Sequence, residues 1–435
     1  MRSIRKTAEM EPRQTVLEVK NLKVRFRTLD GIVDAVKGID IVVRAGETVA
    51  IVGESGSGKS QTMMAAMRLL ASNGEANGAV EYRGRNLLEL SKSELNKVRG
   101  AKISMIFQEP MTSLDPLYTI GNQLMEPIRR HRKLGHAQAK AEALRLLRLV
   151  NIPDPERRLN SYPHEMSGGQ RQRVMIAMAL ANDPDVLIAD EPSTALDVTI
   201  QAQILGLLAE LQKKLGTAIV FITHDLGIVR RLAVRGFVMG RGGGVGSGQT
   251  ETIFTSPQHD YTKMLLAAEP TGRKAPPDPK APVLLDARNV EVTFRIGGGF
   301  LSGPPLLLRA VDRINVILKK RQTIGIVGES GSGKSTLGRA LLRLLPSEGR
   351  IRFDGRDIST MSKDRMRPLR HEMQLVFQDP FGSLSPRMTV GQIITEGLRV
   401  HEAHLGRKER DHRAIEALQE VGLDPVMRNR YPHEF

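Results

Sequence analysis

The chain has 435 residues, enough for two domains of ordinary size, and its 40% hydrophobic and 26% charged content is that of a globular protein. It contains no cysteine, which excludes disulfides, thiolate zinc sites and iron–sulfur clusters, and aromatics at 4% without tryptophan offer no large aromatic ligand surface. The formal charge of +16 is spread along the chain with no aromatic–basic stacking surface, so the expected use is attraction to an anionic membrane face and no nucleic-acid partner is expected.

Residues 1–15 form a polar tail without an apolar signal core, so secretion is not expected, and no apolar run reaches the bilayer-spanning length of about 18 residues. The chain then repeats itself. IVGESGSGKS at 51–60 returns at 326–335, ISMIFQEP at 103–110 as MQLVFQDP at 373–380, and YPHE at 162–165 at 431–434. This is a tandem duplication. Copy one spans 16–268. Residues 269–282 (EPTGRKAPPDPKAP) hold five prolines and read as an extended linker, and copy two spans 283–435.

In copy one, 48–52 and 186–189 are short apolar runs ending in polar residues, as buried parallel strands do. Residues 59–70 and 168–181 are helical in pattern, and 121–150, rich in Leu, Ala and charge, reads as an inserted helical subdomain. The whole is an α/β reading with a phosphate-loop core and a helical insertion, in tandem.

Gly53, Glu54, Ser55, Gly56, Ser57, Gly58, Lys59 and Ser60 match the pattern G-x-x-x-x-G-K-[ST], placed after a strand and before a helix. Glycines let a backbone wrap a phosphate with its N–H groups pointing inward, and the helix N-terminus adds favourable partial charge. Lys59 is expected to reach the β- and γ-phosphates and Ser60 to ligate Mg²⁺, with Gln61 next on the helix. The strand of residues 185–189 ends in Asp190, placed to hold Mg²⁺ through water, and Glu191, placed to polarise attacking water as general base. Ser167, Gly168, Gly169 and Gln170 open a second helix with small residues, a second anion-binding start.

With MSGGQRQR following a phosphate loop and just preceding an acidic-ended strand, the chain resembles the ATP-binding cassette family over essentially its whole length. The resemblance implies that Gln108 is the Q-loop glutamine touching Mg²⁺, that His224 is the switch histidine at the γ-phosphate, and that 193–197 (STALD) is the D-loop. It implies adenine stacking for Phe26, with Phe294 its counterpart, although a plain core role serves these two equally. In copy two it assigns Gly328, Gly331, Gly333, Lys334, Ser335, Thr336 and Gln378 to nucleotide, with Ser335 and Gln378 also on the metal.

FQEPMTSLDP, DEPSTALDVTIQAQIL and PQHDYTKMLL resemble the ATPases of peptide-type importers, and the tandem copies resemble the fused ATPases of glutathione and microcin C importers. That implies ATP and Mg²⁺ as cofactors and two integral-membrane permease subunits as partners. It implies an external periplasmic binding protein acting indirectly, and a place on the cytoplasmic face of a bacterial inner membrane.

Two departures stand out. Val234 replaces the aspartate of the family's A-D-R tripeptide, and the glycine run at 242–248 is expected to loosen a peripheral hairpin. Copy two stops at Phe435, before a signature, an acidic strand end or a switch histidine, so it is expected to be poorly stable. No complete hydrolytic site is then expected between the two copies, and a homodimer or a second ATPase chain is expected to supply one. The competing readings are an inactive fragment of a disrupted gene and a non-transport cassette ATPase acting on DNA or ribosomes. The second normally carries zinc cysteines or long coiled-coil insertions, which are absent here.

Overall fold

The computed structural model describes residues 14–28, 31–107, 113–192, 197–268, 272, 276, 278–297, 306–329, 331–378 and 380–434. The chain divides into two compact units, Met1–Arg273 and Lys274–Phe435, with the division inside the proline-rich stretch.

In the first unit, β1 (Thr15–Thr28) pairs antiparallel with β2 (Gly31–Arg44) and with β4 (Gly74–Tyr82), and β5 (Arg85–Asn86) closes the edge. Leu17, Val19, Leu22 and Val24 of β1 are buried while Glu18, Lys20, Lys23 and Arg25 are not, a period of two that slips once. The slip sits at Asn21, whose φ of 42° accompanies a register shift on both sides of the strand.

A second, six-stranded sheet positions the first phosphate loop and the acidic strand end. Its order is β10 (Gly243–Gln249), β9 (Arg235–Gly240), β3 (Thr48–Val52), β8 (Ala218–Thr223), β7 (Val186–Asp190) and β6 (Ile103–Ile106), parallel except for β10. The central strands are apolar along their length because both faces are covered. The hairpin expected to be loose and peripheral is paired: β9 is buried and parallel to β3, and the glycine run makes an antiparallel edge strand whose register shifts between Gly244 and Gly246. The glycines are tolerated because β10 lies at the sheet edge, where little side-chain packing is required.

Helix α1 (Lys59–Ala66) is shorter than the sequence pattern suggests. Arg68 turns left-handed at φ 51°, and Arg99 donates to the Met67 and Arg68 carbonyls at 2.8 and 2.6 Å, satisfying the helix end. The segment 121–150 resolves into α2 (Ile120–Arg132) and α3 (His136–Leu149), separated by Lys133 at φ 54° and the Gly135 cap. These pack with α4 (Gly168–Ala179) around Leu124, Ile128, Leu146, Leu147 and Val174, all buried.

In the second unit, β11 (Val283–Ile296), β12 (Leu306–Lys319), β13 (Glu348–Phe353) and β14 (Arg356–Asp357) repeat the antiparallel sheet. α5 (Lys334–Leu341) follows the second phosphate loop, and Arg370 donates to the Leu342 and Arg343 carbonyls as Arg99 does in the first unit. The helical pair recurs as α6 (Val390–His401) and α7 (Arg407–Glu420). The parallel sheet does not recur among the described residues. Residues 323–327 and 373–376, which match β3 and β6, form no strand, and Val327 is 91% and Val376 95% exposed.

Among the described residues no helix is long and apolar enough to cross a membrane.

Candidate nucleotide site

The loop between β3 and α1 closes around its own lysine. Lys59 is buried and donates from Nζ to the carbonyls of Gly53 and Glu54, both at 2.8 Å. Burial holds this ammonium below the usual lysine range, against the opposing pull of Glu191, Asp190 and Glu54. Two glycines are required by geometry. A Cβ on Gly53 would stand 2.1 Å from the Met239 carbonyl oxygen, and one on Gly58, at φ 94°, 2.5 Å from that of Ala35. Ser57 Oγ is buried with no hydrogen-bond partner.

Parallel registration brings the acidic residues to this loop. Val52 lies opposite Thr223, and Asp190 opposite Ile222, so β3, β7 and β8 deliver their C-terminal ends to one edge, where ligands of open α/β sheets bind. Ser60 Oγ donates to Asp190 Oδ1 at 2.9 Å. Asp190 is buried, and its carboxyl is pushed above the usual range first by that burial and further by Glu191. Glu191 takes the left-handed region at φ 45°, sparsely used by non-glycine residues, and its N–H donates to the Ile222 carbonyl at 3.0 Å. Its carboxylate meets His224 Nδ1 at 3.0 Å. With Glu191 ionised, Nδ1 carries the proton and donates, and Nε2 is the ring nitrogen left for another partner. Asp225 then caps the next helix through Oδ1, accepting from the Ile228 N–H at 3.1 Å.

The residues at Gly53, Glu54, Ser55, Gly56, Ser57, Gly58, Lys59, Ser60, Asp190, Glu191 and His224 therefore form one cluster, with Gln61 beginning the exit from it along α1. Phe26 is half-buried on β1, and a Cβ on Gly74 would stand 2.7 Å from its ring. Ser167 caps α4, its Oγ accepting from the Gln170 N–H at 3.3 Å while Gln170 Oε1 accepts from the Ser167 N–H at 3.2 Å. Among the described residues no hydrogen bond joins Ser167, Gly168, Gly169 or Gln170 to the phosphate loop. Gln108 and residues 193–196 lie outside the described residues. Tyr261 joins the loop without a local sequence signal: its Oη accepts from the Glu54 N–H at 3.2 Å, across 207 residues of sequence.

In the second unit Lys334 repeats the crossing, donating to the Gly328 and Glu329 carbonyls at 2.7 and 2.6 Å, and Gly331 and Gly333 keep left-handed φ values of 80° and 90°. Ser335, Thr336 and Gln378 are present, but no strand-end carboxylate stands beside Ser335 among the described residues.

The ABC transporter family model matches residues 36–194 and 311–435, running through both phosphate loops. This chain is an ABC transporter family member. Its ATPase fold is the one built above, an α/β phosphate-loop core with an inserted helical layer. It is 52% identical over 424 residues to the peptidoglycan transport ATP-binding protein YejF of Agrobacterium fabrum, covering 97% of this chain and 78% of that one. It is 48% identical to the uncharacterized ABC transporter ATP-binding protein YejF of Escherichia coli, over 97% of this chain and 80% of that one. Against the glutathione import ATP-binding protein GsiA of Escherichia coli O157:H7 the identity is 45%, over 97% and 73%.

Proposed function

We propose that this chain is the ATP-binding and ATP-hydrolysing subunit that energises a bacterial peptide-type importer, working from the cytoplasmic face of the inner membrane against two permease subunits. The observation that carries the reading is the convergence of Lys59, Ser60, Asp190, Glu191 and His224 at the ends of β3, β7 and β8. The relatives named for peptidoglycan transport and glutathione import supply the substrate class, small peptides and peptide-like molecules.

The loop N–H groups and the α1 N-terminus receive the phosphates, and Lys59 turns from its own loop carbonyls to the β- and γ-phosphates. The site fits Mg²⁺, since Ser60 Oγ and Asp190 Oδ1 are hard oxygen donors 2.9 Å apart and burial and Glu191 both disfavour the ionised Asp190 carboxylate in the absence of a further cation. Mg²⁺ when bound would neutralise charge on the β- and γ-phosphates. Glu191 orients and deprotonates the attacking water, and His224, anchored by Glu191, contacts the γ-phosphate. Gln108 serves with them, and Phe26 stacks on the adenine. The self-capped Ser167 start, which shares no hydrogen bond with this loop among the described residues, serves the nucleotide of a facing cassette, which a second copy or another ATPase chain provides. Residues 16–268 are the cassette that carries hydrolysis, 269–282 the linker, and 283–435 a second nucleotide-binding region using Gly328, Lys334, Ser335, Thr336 and Gln378.

The test is ATP turnover by the purified chain over a range of concentrations, beside Glu191→Gln. Turnover should rise steeply with concentration, and the variant should bind ATP but turn over about 10²–10⁴-fold more slowly. Normal hydrolysis by the variant removes Glu191 as base, and concentration-independent turnover removes the facing-cassette requirement.

A further inference from the structure

The segment PQHDYTKMLL, residues 257–266, lies outside the cluster of Lys59, Ser60, Asp190, Glu191 and His224, yet one of its side chains reaches the phosphate loop. Tyr261 belongs to the helix Asp260–Ala267, and its N–H donates to Nδ1 of the capping His259 at 3.1 Å. Its ring is half-buried and lies on the last residue of β9: a Cβ at Gly240 would stand 3.0 Å from two of its ring carbons. Glycine there is what admits the ring. Tyr261, Leu265 and Leu266 pack against the apolar cluster that includes Val52 and Val238, so the strands that carry the loop also fix the position of the phenol.

From this seat Oη accepts from the Glu54 N–H at 3.2 Å. That N–H and the Gly53 carbonyl belong to one peptide unit, and in a trans peptide the two point in opposite directions. Lys59 Nζ donates to the Gly53 carbonyl at 2.8 Å. The ammonium and the phenol therefore hold the same peptide from its two sides.

This peptide needs holding. Gly53 bears no side chain to restrain rotation beside it, and can bear none, because its Cβ would stand 2.1 Å from the Met239 carbonyl oxygen. A flip would turn the Glu54 N–H toward the ammonium and carry the Gly53 carbonyl outward. Lys59 opposes that flip only while it stays on the loop carbonyls, and the ATP reading of the site, on which this inference rests, has it turn to the phosphates. Lys334 crosses to the Gly328 and Glu329 carbonyls with no tyrosine on the Glu329 N–H among the described residues, so a phenol is not what makes the lysine cross. Its contribution comes when the lysine leaves. We propose that Tyr261 is a positioning residue for the nucleotide, keeping the 53–54 peptide in one orientation while Lys59 exchanges the loop carbonyls for phosphate oxygens.

The full chain with Lys334→Ala, which confines the titration to the first loop, is the parent for the test. Tyr261→Phe removes the hydroxyl and keeps the ring on Gly240, and Tyr261→Ala removes both. ATP affinity is read by calorimetric titration, turnover at saturating ATP by phosphate release, and the thermal midpoint without nucleotide. Loss of one neutral hydrogen bond should weaken ATP binding about three- to tenfold in Tyr261→Phe, and by more than it lowers turnover. Hydrogen exchange of the peptide covering 53–57 should quicken in that variant with ATP bound. Tyr261→Ala should lower the midpoint further while weakening ATP binding little beyond Tyr261→Phe, because affinity follows the hydroxyl and stability follows the ring. Equal affinity in the parent and Tyr261→Phe overturns the proposal. So does an affinity lost only in Tyr261→Ala together with its midpoint, which marks a packing role. A parent that binds no ATP overturns the nucleotide reading, and the proposal with it.

Discussion

The same isoleucine of the same ten-residue motif sits in two environments, which permits a matched perturbation. Ile51 is 0% exposed within β3, and Ile326, its counterpart, is 44% exposed with no strand paired to it among the described residues. Ile→Ala removes about three methyl or methylene groups, each worth about 0.8 kcal/mol when buried. At Ile51 a cavity is added, because β8 and β9 hold β3 on both sides, bringing the expected loss to about 3–4 kcal/mol. At Ile326 no cavity forms and the loss should stay below about 0.5 kcal/mol. Since two units need not unfold together, the assay is urea-dependent hydrogen exchange read by mass spectrometry on peptides unique to each flank. Residues 48–52 should lose protection in I51A at lower urea, while 323–327 should exchange fast in the parent and in I326A alike. Equal destabilisation by the two substitutions, or strong protection of 323–327 in the parent, refutes the reasoning.

Asp190→Asn should raise the thermal midpoint of the nucleotide-free first unit by about 2–4 °C per kcal/mol gained. The folded carboxyl is held above its ordinary value by burial, so its contribution to stability is full below that value and is lost as pH rises through the raised one. The parent therefore loses stability over that acidic window and the variant does not, while Mg²⁺-dependent ATP binding by the variant falls; a lowered midpoint at neutral pH would contradict this. Tyr82 donates from Oη to Asp185 at the start of β7, and burial and that carboxylate push the phenol up to about 12. Stability from this contact should persist below pH ~10 and fall between there and pH ~12, a loss absent from Tyr82→Phe, which costs about 1 kcal/mol at neutral pH. Gly58→Ala forces a side chain against the Ala35 carbonyl at left-handed φ and should cost about 1–3 kcal/mol and abolish nucleotide binding, read by a thermal melt with and without ATP.

Much of the site was legible in the sequence because its chemistry is local. Gly53, Gly58 and Lys59 specify the loop within eight residues, and the strand ending in Asp190 and Glu191 announces itself by an apolar run and a sudden charge. What was not legible is what depends on distant backbone. Tyr261 reaches Glu54 from 207 residues away. The early end of α1 is set by Arg99, which is 31 residues beyond Arg68 in sequence, and nothing in the helical pattern of 59–70 marks it. The glycine-rich hairpin is peripheral, as its sequence suggests, and its irregularity is a register shift between Gly244 and Gly246. Glycine weakens a strand taken alone, but β9 is secured by parallel pairing with β3, and β10 needs only one neighbour.

The two copies of IVGESGSGKS separate these contributions inside one molecule. The loop half folds alike in both: the paired glycines turn left-handed and the lysine crosses to the first two carbonyls at 2.6–2.8 Å. The strand half differs: Ile51 and Val52 pair with β8 and β9, whereas residues 323–327 form no strand among the described residues. The crossing of the lysine onto its own loop is therefore a local structure, made between residues five and six apart in sequence in both copies. The hydrolysis proposed above is not local, because Asp190, Glu191 and His224, to which it is assigned, reach the cradle through the registration of β7 and β8 with β3. Nucleotide binding and nucleotide cleavage thus rest on different ranges of interaction. It follows that a substitution weakening the β7–β8 ladder, such as Phe221→Ala, should reduce turnover more than ATP affinity. The ratio of the two effects, taken from kcat and from direct ATP titration, is the quantity to measure, and equal losses in both would show that the cradle also depends on the sheet.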